Sequence, residues 1–188
     1  RDFCLSRGLG DVYKRQPIYG EVLYKSKILP PLTTVNGKVI HRDWDYLQYF
    51  INEARRLGLK VTVSTAMFPS GHPATNEGLV YEESRWDGKT CLEYTPDGKM
   101  LDIREDKKKV GAFLNPVRKD VRKFALSIVR EIVKNYDVDA YALDYCRYPG
   151  DDSDFSADSR KAFEHYLGKK VRNFPDDIFT WNADGTKN

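Results

Sequence analysis

The feature that most constrains this fold is an alternation of amphipathic helices and short apolar runs, joined by loops of very unequal length. Leu47, Phe50, Ile51, Ala54 and Leu57 recur at helical spacing, so a helix is expected over about 43–57, with Asp43 as N-cap and Gly58 as its stop. A second is expected over about 116–135, capped by Asn115, with Pro116 at the first helical position, where its missing N–H costs nothing. Val117, Val121, Phe124, Ile128, Val129 and Ile132 form its apolar stripe. A third helix is expected over about 157–167, closed by Gly168. Between them, LKVTVSTA (59–66), VGAFL (110–114) and VDAYALDY (138–145) read as strands, with Val138 to Leu143 buried.

The helix-to-strand connections are tight, whereas the strand-to-helix segments 67–109 and 145–157 are long and rich in Tyr, Trp, Asp, Glu and Pro. That pattern indicates an α/β protein with a parallel sheet, whose site lies on the loops after the strands' C-terminal ends. Two DGK turns, at 87–89 and 97–99, point to a β-hairpin inserted within 67–109. A (β/α)8 barrel takes roughly 250 residues, against 188 here. The expectation is therefore part of a TIM-type barrel truncated at both ends, exposing strand edges and apolar helix faces.

The N-terminal stretch SRGLGDVYKRQ (6–16) reads residue for residue as the translation of a transposon-end sequencing adapter. Residues 1–16 are accordingly expected to be non-native, with the barrel domain occupying 17–188. Removing that segment leaves 27 basic against 26 acidic residues, a balance that gives no case for a nucleic-acid partner. The run REDKKK (104–109) mixes signs and reads as a solvated loop. Cys91 and Cys146 remain, without metal-ligand or disulfide spacing, and His41 and His165 have no partners that suggest a metal. No run approaches the ~18 apolar residues of a transmembrane segment.

The stretch DVDAYALDYCRYPGDD (137–152) carries the most chemistry. Asp144 falls at the C-terminal end of a strand, where a carboxylate faces a pocket mouth. Tyr145, Arg147 and Tyr148 follow it directly. Aromatic faces suit the apolar faces of sugar rings, and Asp and Arg suit their hydroxyls. Arg147 beside Asp144 would favour the ionised carboxylate. The plainer reading is that Asp144 caps a turn and pairs structurally with Arg147. Asp151, Asp152 and Asp154 read as solvated loop or cap residues.

The run AFLNPVRKDVRKFALSIVREIVKNYDVDAYALDYCRYP resembles the glycosyl-hydrolase-like family called family 10 glycosylhydrolase. EARRLGLKVTVST matches that family's preceding helix and strand, PIYGEVLYKS resembles the loop after its second barrel strand, and FPDDIFTW a segment of its more amylase-like members. The resemblance spans about 17–181, with Ala140 departing from the usual Gly. It implies a (β/α)8 barrel that acts on glycans by acid/base chemistry without an organic cofactor; some relatives cleave the glycan strands of peptidoglycan.

Such hydrolysis uses two carboxylates, about 5–5.5 Å apart in retaining and 6.5–9.5 Å in inverting enzymes. Asp144 is the first candidate. The second is Glu21, or Glu93 in the insertion, or a residue on a later strand. Tyr19, Tyr145, Arg147, Tyr148, Asn115, His72 and Trp86 are candidate substrate contacts, although capping alone also accounts for Asn115, and packing within the insertion for Trp86 and Tyr94. The rivals are a carbohydrate-binding pseudoenzyme lacking one carboxylate, and a cell-wall amidase or deacetylase on an α/β scaffold. A secreted or periplasmic location is implied by the family and its substrates.

Overall fold

The computed structural model describes residues 20–35, 38–39 and 43–188. The adapter-like segment 1–16 and Tyr19 lie outside the described residues. Strands β1 (Thr34–Val35) and β2 (Lys38–Val39) form a short antiparallel pair. Helix α1 follows at Tyr46–Arg56.

Its cap is Asp45 rather than Asp43, because the Asp45 carboxylate accepts the amide of Gln48 at 3.0 Å. Leu47, Ile51 and Ala54 face the core, and Gly58, at φ +70°, takes the left-handed turn that ends the helix.

The chain is α/β. Strand β3 (Thr62–Ala66) pairs in parallel with β6 (Ala140–Asp144), with Thr62 opposite Ala140 and Ala66 opposite Asp144. Parallel neighbours need a long crossover, and helix α3 (Lys119–Asn135) supplies it. Its Val121, Ala125, Ile128 and Ile132 are buried. The helix begins three residues later than the pattern suggests. Asn115 accepts the amide of Val117 at 3.0 Å, so Asn-Pro makes a turn before the first helical residue.

Two strand expectations need correction. VGAFL is not a parallel strand of the sheet. Residues 110–114 form antiparallel bridges, Pro69 with Phe113 and Thr90 with Leu114, and Ala112, Phe113 and Leu114 are fully buried. An apolar run records that a segment is covered, not which partner covers it. Here the excursion that leaves β3 returns alongside itself. The run at 138–143 is not buried either: Leu143 is 54% exposed, because β3 is the one strand paired with β6 among the described residues. The described strands make three two-stranded sheets. Apolar side chains such as Val133 on α3 are exposed.

Between β3 and α3 the chain builds helix α2 (Leu79–Glu82), a 3-10 turn (Ser84–Trp86), and the antiparallel hairpin β4 (Leu92–Tyr94) with β5 (Met100–Asp102). The second DGK sits at the hairpin turn, with Gly98 at φ +77°.

Helix α4 spans Ala157–Leu167, capped by Ser156 and closed by Gly168 at φ +68°. On it, Glu164 accepts Lys170 at 2.7 Å, Arg160 at 3.0 Å and the amide of Val171 at 3.2 Å. Lys170 first, then Arg160, hold its carboxyl down at about 2. A depressed carboxylate stabilises the fold fully above its ordinary value of 4.5 and loses that contribution as pH falls through about 2. The melting-temperature gap between wild type and Glu164→Gln should therefore narrow from about pH 5 to about pH 2. A gap independent of pH would contradict these ion pairs.

Candidate functional site

Asp144 closes β6, and its main-chain carbonyl accepts the amide of Met67, the first residue beyond β3. The carboxylate is exposed, and accepts the amide of Tyr145 at 2.8 Å. Tyr145 sits at φ +46°, a left-handed conformation that a tyrosine adopts under local constraint. Its ring meets Phe113 edge-on at 5.9 Å. The Arg147 guanidinium lies 5.2 Å over the Tyr145 ring and donates to the carbonyls of Tyr148 at 2.9 Å and Pro149 at 3.4 Å. Among the described residues it forms no ion pair with Asp144. Arg147 thus braces the turn rather than the carboxylate. Tyr148 is partly exposed, and burial raises the pKa of its hydroxyl.

The loop after β6 folds back onto the hairpin. The main-chain amide of Tyr94 donates to the carbonyl of Asp152 at 2.9 Å, and that of Phe155 to the carbonyl of Leu92 at 3.0 Å. Lys109 bridges the two, pairing with Glu93 and reaching Asp152 at 3.4 Å. Burial raises the carboxyl pKa of Glu93 while Lys109 opposes it. Glu93, a candidate second carboxylate, is therefore buried and clasped by a cation.

Asp154 has a role that the sequence reading did not assign. One of its oxygens accepts the amide of Leu92 at 2.6 Å. The other accepts Asn115 at 2.5 Å, Ser156 at 2.5 Å and Ser159 at 2.6 Å. A single carboxylate thus ties the hairpin, the entrance to α3 and the start of α4. Asn115 is fully buried in this network and does not cap α3.

Glu21 is half-buried and lines an apolar cavity of about 60 Å³ with Tyr46, Ala66, Met67, Pro69 and Ser70. Ala66 is also the register partner of Asp144, so both carboxylates are placed around the end of β3. Burial, then Glu82 and Glu77, raise the Glu21 pKa. His72 is half-buried in a bridge with Glu77. Trp86 is not a surface platform: it is 4% exposed, and its ring packs 4.6 Å from Phe124, joining the excursion to α3. Tyr94 donates to Asp176 at 2.7 Å. Among the described residues no group of three or more His, Cys, Asp or Glu side chains is arranged to hold a metal ion.

An S-layer-related protein of Niallia circulans is 37% identical over 150 residues, covering 77% of this chain and 9% of the relative. The chain thus spans about 9% of the length of the curated relative it matches. The profile of the family Glycosyl hydrolase-like 10 matches residues 9–188, including part of the segment read as adapter-encoded. With β3 and β6 in parallel and the long loops gathered beyond them, the match covers all the described residues, and the chain belongs to the Glycosyl hydrolase-like 10 family.

Proposed function

We propose that this chain is part of a glycoside hydrolase of TIM-type (β/α)8 architecture, cleaving a polysaccharide or peptidoglycan glycan. The carrying observation is Asp144, an exposed carboxylate at the C-terminal end of a parallel strand, in a family named for its likeness to glycosyl hydrolases. That end of the strand is where barrel enzymes place their chemistry. Asp144 serves as nucleophile or as base, and Glu21 as the acid that protonates the leaving oxygen. Tyr145, Arg147 and Tyr148 line the approach. The S-layer-related name of the relative supports action at the cell surface.

A group kept protonated suits the acid role. Cleavage should then fall as pH rises through the raised Glu21 pKa. Glu82→Gln removes one of the charges that raise it, so the basic limb of kcat/KM should move to lower pH. A limb that stays in place would exclude Glu21 as the acid.

Product analysis tests the reaction class. The full chain, incubated with purified peptidoglycan glycan strands and a panel of polysaccharides, should release fragments with new reducing ends. Released acetate or cut peptide stems, with the glycan intact, would instead identify a deacetylase or an amidase.

A further inference from the structure

Trp44 and Tyr49 are large aromatic residues left exposed, at 43% and 58%, where α1 begins. The Trp44 and Tyr49 rings meet edge to face at 5.3 Å, and the Tyr46 ring lies 5.6 Å from that of Trp44. Tyr46 and Leu47, at the start of α1, line one cavity with residues along and just beyond β3, from Val63 to Met67.

Trp44 also forms one wall of a groove of about 500 Å³, whose other walls include Leu23, Lys25, Pro31 and Thr33. That volume falls within the ~300–1,000 Å³ of small-ligand sites. The two walls are held together by Asp45. Its carboxylate caps α1 through Gln48, accepts the amide of Lys25 at 3.0 Å, and accepts the Tyr136 hydroxyl at 2.5 Å. The groove is therefore preorganised, and ordering it on binding costs little.

We propose that the Trp44–Tyr49 face and its groove form an accessory glycan subsite, which grips sugar units of a chain away from the cleaved bond. A pyranose ring has one apolar face of C–H groups and an equatorial rim of hydroxyls. The exposed rings match the first, and the Lys25 ammonium and Thr33 hydroxyl match the second. The inference rests on the glycan reading and adds to it a preference for long chains.

The test is calorimetric titration of the full chain with the hexamer of β-1,4-linked N-acetylglucosamine, in an Asp144→Asn background so that the probe stays intact. Trp44→Ala and Tyr49→Ala should each weaken binding at least ~10-fold, whereas Trp44→Phe, which keeps an aromatic face, should stay within ~3-fold. Tyr166→Ala, an exposed aromatic on α4, should bind like the parent. Should Trp44→Ala fail to fold, Tyr49→Ala decides. Hexamer binding unchanged in Tyr49→Ala and in folded Trp44→Ala, or absent from the parent, overturns the subsite. Undiminished cleavage by Asp144→Asn contradicts the catalytic reading instead, and leaves this binding comparison standing.

Discussion

Asp154→Ala should lower the stability of the chain by about 3 kcal/mol, because hydrogen bonds to a charged group contribute about 1.5–3 kcal/mol each and do not add fully. The substitution leaves the Leu92 amide without its side-chain acceptor. It also takes from the fully buried Asn115 amide the shortest of its hydrogen bonds. Asn115 retains contacts to Ser156 at 3.0 Å and Ser159 at 3.5 Å, which limits the loss. Asp154→Asn keeps one acceptor but sets an amide donor against donors, so it should recover less than half the deficit. In urea unfolding, Asp154→Ala should move the midpoint with little change in slope. A loss below about 0.5 kcal/mol, the range of ordinary surface substitutions, would contradict the role given to this carboxylate.

The second large effect is on rate. Asp144→Asn preserves volume and the contact with the Tyr145 amide, but removes the negative charge that the proposed function assigns to attack on, or stabilisation of, an oxocarbenium-like centre. Loss of about 10³-fold in kcat is expected, in the range for a positioned acid or base, with stability nearly unchanged because the side chain is exposed. The two variants are thus opposites. One carboxylate holds the loops together and the other, on the proposed function, carries the chemistry, though both sit in the same short stretch of chain.

That division was only partly legible in the residues. Helix α4 matches its expected bounds because Ser156 and Gly168 are local signals at either end of a local pattern. Asp144 at a strand end was legible for the same reason. VGAFL misled because complete burial of Phe113 produces the same composition in a returning loop as in a central strand. Leu143 misled in the opposite way, since its apolarity suits a covered strand and the described residues leave it exposed. The Asp154 network joins residues 39 and 62 positions apart, Asn115 and Leu92, through loops with no periodicity. The residues left Trp86 open between a sugar platform and packing, and its ring packs against Phe124, 38 positions along the chain.

On the proposed function, Asp144 carries glycosidic cleavage. The most direct test is the initial rate of new reducing ends from purified peptidoglycan glycan strands, for the full chain and for Asp144→Asn at equal folded concentration. The variant should lose at least ~10²-fold in rate. Equal rates would contradict that role.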